Sequence, residues 1–254
     1  MDRTIVIGSK ICKFIGLSAI TVVAVGAFCT GTLAQELDAK LLLKQMGAEI
    51  AGLDSFILNG DAYTDARLAA GQIIEHSSQV SLRLRRNPGA IHITNRDTEN
   101  TKEIFFADGL LSVYSKTENF YAQREIPKGL QAMLDFAVNE AGIEAPLLDF
   151  VSANFADDLI KDAEAVRYLG TSLIRGEVFH HIGIRSQDED IQIWIATQGP
   201  PLPGKLAISS KWEGGSPRFV AFFEWTKNPD LPTNSFRFEP PDDAVAVGFL
   251  LDLE

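Results

Sequence analysis

The stretch EIFFADGLLSVYSKTENFYAQRE, residues 103–125, reverses direction twice. Asp108-Gly109 is a two-residue hairpin signal, and Lys116 to Asn119 is a second cluster of turn formers. Reading back from it, QVSLRLRR (79–86) sets Val80, Leu82 and Leu84 on one face and Ser81, Arg83 and Arg85 on the other. AIHITN (90–95) continues with Ile91 and Ile93 opposite His92. Residues 55–125 therefore read as a meander of strands spaced about ten residues apart, the signature of an antiparallel sandwich or barrel.

Reading forward, the period of two disappears over 127–163. Pro127 stands at a helix-start position, and Leu130, Met133, Leu134, Ala137 and Val138 recur at helical spacing up to Gly142. Pro146 opens a second short run, LLDFV, and Asn154 precedes a third, in which Asp157 and Asp158 suit the positive end of a helix dipole. Strands return over 164–227. VFHHIGIRSQDEDIQIWIATQG (178–199) reads as a hairpin turning at Gln187 to Glu189, and KLAISSKW and RFVAFFEW follow it. FRFEPPDDAVAVGFLL closes the chain with two proline-punctuated extended pieces. Upstream of the meander, Leu43, Met46, Ile50 and Leu53 define an amphipathic helix over roughly 36–53.

The 254 residues are 46% hydrophobic and 22% charged, a globular composition, with a net charge of −11 that disfavours nucleic acid as a partner. Arg3, Lys10 and Lys13 precede the uncharged run FIGLSAITVVAVGAF (14–28), which gives way to Thr32-Leu33-Ala34. A run of that length covers about 22 Å as a helix, short of the roughly 30 Å hydrocarbon core, so a cleavable export signal is favoured over a retained anchor. Cleavage is expected after Ala34, leaving 35–254 as one domain with a helical insert at about 127–163. Cys29 raises a lipoprotein signal as an alternative, against which Phe28 is a poor preceding residue. Both cysteines, 12 and 29, fall in the removed part, so the exported chain is expected to lack disulfides and thiolate chemistry.

Several strands carry bulky apolar groups on one face: Ile182 and Ile184, then Ile191, Ile193 and Ile195, then Phe219, Phe223 and Trp225. The opposite faces hold His181, Arg185, Gln192, Ser209 and Lys211. Such a sheet has one wet face and one needing cover, and the helices at 36–53 and 127–163 are what is available. Either the helices fill the space, giving a packed α+β core, or they leave an apolar cavity. In the second case its candidate lining is Val80, Leu82, Leu84, Ile91, Ile93, Ile182, Ile184, Ile193, Ile195, Phe219, Phe223 and Trp225.

The strings DGLLSVY, ENFYAQREIP, APLLDF, RYLGTSLIRGEVFHHIGI, DIQIWIATQGPPLPGKLAIS and FRFEPPDDA resemble an uncharacterised family of predicted periplasmic proteins, domain of unknown function 2092, over about 37–250. Within the run from Tyr168 to Ile208, Gly176, His181, Gln192, Trp194 and Pro203 stand in the order the family shows. That family is similar in turn to the outer-membrane lipoprotein carriers and receptors. The resemblance implies an α+β fold, an open half-barrel of about eleven antiparallel strands covered by a few helices, holding acyl chains in an apolar cavity. It implies no catalytic residue.

Catalytic signals are weak. Adjacent strand residues point to opposite faces, so His180 and His181 cannot chelate one metal; His181 is expected opposite about Ile195, far from the acids 188–190 at the turn. His180 reads as satisfied and inward, His181 as a surface residue. There is no G-x-S-x-G, P-loop, G-x-G-x-x-G after a strand, or H-E-x-x-H. Arg83, Arg85 and Arg86 read as a solvated strand face, or as a docking patch for acidic headgroups or a partner. Trp225 shares parity with Phe223 and should face inward, while Trp194 should lie at the rim or outer face. The expectation is a periplasmic carrier of an apolar ligand, with no cofactor and no metal. The rivals are an envelope protein that docks another protein and a hydrolase with dispersed groups.

Overall fold

The computed structural model describes residues 38–69, 71–141, 146–211 and 218–249. Leu37–Glu254 forms one compact unit. The export segment and its cleavage point lie outside the described residues, as does Trp212. Among the described residues, no helix is long and apolar enough to cross a membrane.

The meander is β1 (Ser55–Arg67), β2 (Ile73–Arg85), β3 (Ala90–Arg96), β4 (Thr101–Ala107), β5 (Leu110–Ser115) and β6 (Phe120–Glu125). Asp108 and Gly109 both have positive φ, 54° and 89°, the geometry a tight hairpin demands. Then come α2 (Leu130–Asn139), a 3₁₀ turn (Pro146–Val151) and α3 (Phe155–Lys161); α1 (Ala39–Ala51) precedes β1. The second run of strands is β7 (Ala165–Ile174), β8 (Glu177–Arg185), β9 (Glu189–Ala196), β10 (Pro203–Ser210) and β11 (Arg218–Lys227), with a two-residue β12 (Val245–Ala246). All twelve lie in one sheet, ordered β12-β6-β5-β4-β3-β2-β1-β11-β10-β9-β8-β7. The β1–β11 pair joins the two meanders, and every pair is antiparallel except β12–β6. The sheet is open, with β7 and β12 at its margins.

Register sorts the side chains cleanly. Leu58 faces both Leu82 and Trp225, Leu82 faces Ile93, and Ile93 faces Ile104; a second row on the same face runs from Ile182 through Ile193, Leu206 and Ala221 to Ala62. This inner face is covered by helices. Asp38 caps α1 by accepting from the Lys40 and Leu41 amides, and Leu43, Met46 and Ile50 are almost wholly buried against the sheet. Each such side chain contributes roughly 1.5–3 kcal/mol of transfer free energy. α2 adds Met133, Phe136 and Ala137; the 3₁₀ turn adds Leu147, Leu148, Phe150 and Val151; α3 adds Phe155. α2 begins three residues beyond Pro127, because Gly129 (φ 112°) turns the chain first. Asn154 sits at the N-cap of α3 without a side-chain capping bond.

One end of the sheet curls. Arg175, in the β7–β8 turn, donates to Asp61 Oδ2 of β1 at 3.0 Å. β9, β10 and β11 lie between β8 and β1, about 19 Å across a flat sheet and beyond an arginine's reach. The hairpin tip must therefore fold over the outer face. Register irregularities at Tyr168/Thr171 in β7 and Pro203/Lys205 in β10 supply the bends. Gly60 lets β1 lie close against β11, because a Cβ there would collide with the Phe222 carbonyl oxygen.

Over the other half, the chain after β11 straps the outer face of β3–β6. Phe236, almost wholly buried, packs with Ala90 and Ala107. Phe238 lies among Phe105, Tyr114 and Tyr121, with ring centroids 4.9–5.6 Å away. A 3₁₀ turn (Thr233–Phe236) leads into the two extended pieces expected from sequence: the first is extended from Arg237 without joining the sheet, and the second supplies the short parallel edge strand.

Candidate functional site

The strands bring every expected lining residue to the same side of the sheet. β2 supplies Val80, Leu82 and Leu84, and β3 supplies Ile91 and Ile93. Ile182 and Ile184 come from β8, Ile193 and Ile195 from β9. All nine are buried and belong to one apolar cluster with Phe223 of β11; Phe219 and Trp225 pack against that cluster, partly buried. The helices reach into the same cluster, and Phe150 is its hub. Its ring lies 5.0 Å from Phe155, 5.5 Å from Phe223 and 5.7 Å from Trp225. Among the described residues the buried polar side chains are Ser55, His92 and Ser112, and register puts all three on the outer face. The space between sheet and helices is lined by apolar groups.

Sequence reading missed the centre of this face, Phe56 and Leu58 of β1, which are fully buried. The alternation was present, but Asn59-Gly60-Asp61 in the middle of a 13-residue strand carries the signature of a turn. A cleft of about 620 Å³ opens at the rim of the covered face, between Leu42 and Glu49 of α1 and the β9–β10 loop, beside His180.

The outer face carries a second feature that sequence did not reveal. Between the overhanging β7–β8 tip and the β3–β4 turn lies a trough, formed by two adjoining clefts of about 470 and 650 Å³ that share Asp61, Gln79 and Arg96. Register places its floor in rungs: Glu224, Asn59, Ser81 and Thr94 form one, and Phe222, Asp61, Gln79 and Arg96 form the next. Ser81 donates to Asn59 Oδ1 at 2.8 Å, and Tyr63 meets Phe222 at right angles.

Polar groups elsewhere are engaged in scaffolding. In the Arg83–Arg86 run, Arg85 and Arg86 are held by the fold rather than left as a free docking patch, while Arg83 lines the trough. Arg86 donates to the carbonyls of Ile50, Leu53 and Val151 at 3.0–3.1 Å, tying β2 to the end of α1 and to the 3₁₀ turn, and burial lowers its pKa. Arg85 reaches the Leu231 carbonyl and Thr233 and lies over the Phe236 ring, which anchors the strap. Arg83 lies 3.3 Å from His92 Nδ1, whose Nε2 lies 3.3 Å from Glu103. That hydrogen bond holds Glu103 below the usual carboxylate range. His181 stands opposite Trp194, one residue from the expected Ile195, stacks on it at 4.3 Å and contacts Gln192 at 3.0 Å. His180 contacts the Tyr168 hydroxyl at 3.1 Å. Trp194 is on the outer face as expected, yet buried, because His181 and Lys205 cover it. Asp149 reaches water from the outward side of the 3₁₀ turn. Even so, desolvation by the protein around it, with the Glu189 carboxylate, pushes its pKa up to about 6.

The family described as "Predicted periplasmic protein (DUF2092)" matches residues 39–250, starting at the first residue of α1. The chain belongs to this family. No curated protein matches it significantly. Among solved structures, this family member is similar to the Mycobacterium tuberculosis lipoprotein LppX, with a TM-score of 0.46 and 14% identity over 76% of this chain and 97% of that one. An uncharacterised conserved protein from Thermus thermophilus gives 0.47 and 10% over 83% and 98%. A LolA superfamily protein from Nitrosomonas europaea gives 0.41 and 14% over 80% and 98%.

Proposed function

We propose that this protein is an exported, non-enzymatic binding protein of the periplasm. Its ligand is an acyl chain, of a lipid or a lipoprotein, taken up between the sheet and its helical cover. The observation that carries this reading is the chemistry of the covered face: a continuous apolar surface across the sheet, closed by separate short helical pieces, with the buried polar side chains on the other side. An apolar chain is the ligand such a space can solvate, since any polar group brought there would lose its hydration without a partner. In the closed arrangement the space is filled by Leu43, Met46 and Phe150, so the cover must yield as the chain enters. The cleft between α1 and the β9–β10 loop is the entrance, because Leu42 joins it to the interior.

Organic extracts of the purified protein, read by mass spectrometry, test the reading. A lipid recovered in near-stoichiometric amount is expected. Protein that is lipid-free yet purifies in a stable complex with another envelope protein would favour docking instead. Export carries its own check: the N-terminus of the exported chain should be Gln35, and one upstream of Phe14 would refute cleavage at Ala34.

A further inference from the structure

The outer trough lies on the opposite side of the sheet from the acyl site and has the opposite chemistry. Its floor is made by side chains from β11, β1, β2 and β3, so it runs about 14 Å across three inter-strand steps. The strand backbones are paired within the sheet, so a ligand here is held by side chains alone. Those side chains are amides, hydroxyls, carboxylates and guanidiniums set side by side, such as Asp61, Gln79 and Arg96 along one rung. Acceptors therefore alternate with donors at strand spacing.

Charge decides against an anion. Arg83, Arg96 and Arg175 are offset in the two clefts by Asp61, Glu224, Asp97 and Glu99, so the trough is close to neutral. Arg175 is moreover held by Asp61 at 3.0 Å and Glu224 at 4.0 Å. Apolar ligands are disfavoured by the same lining. What remains on offer is hydrogen bonding of both senses with an aromatic ring beside it. Among the described residues, the side chains of Gln79, Arg96 and Tyr63 make no hydrogen bond, and all three line the trough. A hydroxyl that donates and accepts at once, repeated along a chain of rings with apolar C–H faces, matches this surface.

We propose that the trough binds a short uncharged oligosaccharide, with Gln79 and Arg96 hydrogen-bonding its hydroxyls and Tyr63 packing on a ring face. The site is independent of the acyl site. Neutral tetrasaccharides of glucose and of N-acetylglucosamine, titrated by calorimetry alongside inorganic phosphate and a sulfated oligosaccharide, provide the test. At least one neutral tetrasaccharide should bind saturably, with an affinity unchanged between low and high salt. Q79A and Y63A should each weaken it by about tenfold; the thermal midpoint should stay put in Q79A, whose side chain is exposed, and fall only slightly in Y63A, which loses the edge contact with Phe222. Absence of neutral saccharide binding, binding that ignores both substitutions, or salt-sensitive binding of the anionic probes alone would overturn the proposal.

Discussion

Arg86 shows how a single side chain can set the relation between a sheet and its cover. Its guanidinium satisfies the Ile50 carbonyl at the end of α1, where the helix dipole favours a cation, together with the carbonyls of Leu53 and of Val151 in the 3₁₀ turn. Arg86→Met should cost about 2–4 kcal/mol in denaturant unfolding, since it strips several charge-assisted bonds from half-buried acceptors. Arg86→Lys should recover only part, because an ammonium lacks the fork that spans three carbonyls. A loss below about 0.5 kcal/mol for both would mean these bonds contribute nothing. Asp149 predicts a pH effect of definite sign. Its folded pKa, about 6, lies above the unfolded value, so the folded state binds the extra proton and stability falls as pH rises from about 4 to about 6. Asp149→Asn should match the parent near pH 4 and melt about 1–3 °C higher at pH 8, a modest gain because the side chain reaches water. A variant less stable than the parent at pH 8 would contradict this. These roles were hard to read in sequence. RLRR (83–86) alternates like any strand end, and nothing local tells that its last member turns inward to a helix residue 36 positions earlier in the chain.

Elements were legible where one signal dominated. Asp108-Gly109 and the alternation of β2 and β3 located the meander, and Leu43, Met46 and Ile50 located α1. β1 was obscured by Asn59-Gly60, whose glycine serves close packing on β11 rather than a turn. The strap was obscured because PPDD reads as punctuation, while the residues that anchor it, Phe236 and Phe238, are held by partners more than a hundred residues away. Gly47 illustrates packing between elements. A Cβ there would stand 2.5 Å from the Ala156 Cβ, so α1 and α3 touch through it. Gly47→Ala gains about 1 kcal/mol of helix propensity but forces the helices apart, at about 1–3 kcal/mol. The overpacking should win, giving a net loss in thermal or denaturant unfolding; a net gain would show that α3 moves aside freely.

At the scale of the whole molecule, the twelve candidate residues were placed on one face because the side-chain period of a strand is two, and a shared parity survives errors in exact boundaries. Whether that face accommodates a ligand depends on how tightly helices from elsewhere in the chain fill it, which alternation does not encode. The reverse face was read as merely wet because the curl that raises walls around the trough arises from bulges and from the Arg175–Asp61 contact across three strands. Whether the cover yields to an acyl chain is decided by titrating an environment-sensitive fatty-acid probe series of increasing length into the protein and into Phe223→Ala. Saturable binding should tighten by up to about 0.8 kcal/mol for each added buried CH₂, and Phe223→Ala should change affinity while the fold survives. Binding that is absent or indifferent to chain length, together with a stability loss of roughly 3–5 kcal/mol in Phe223→Ala, would instead show a permanently packed core and a cover that does not yield.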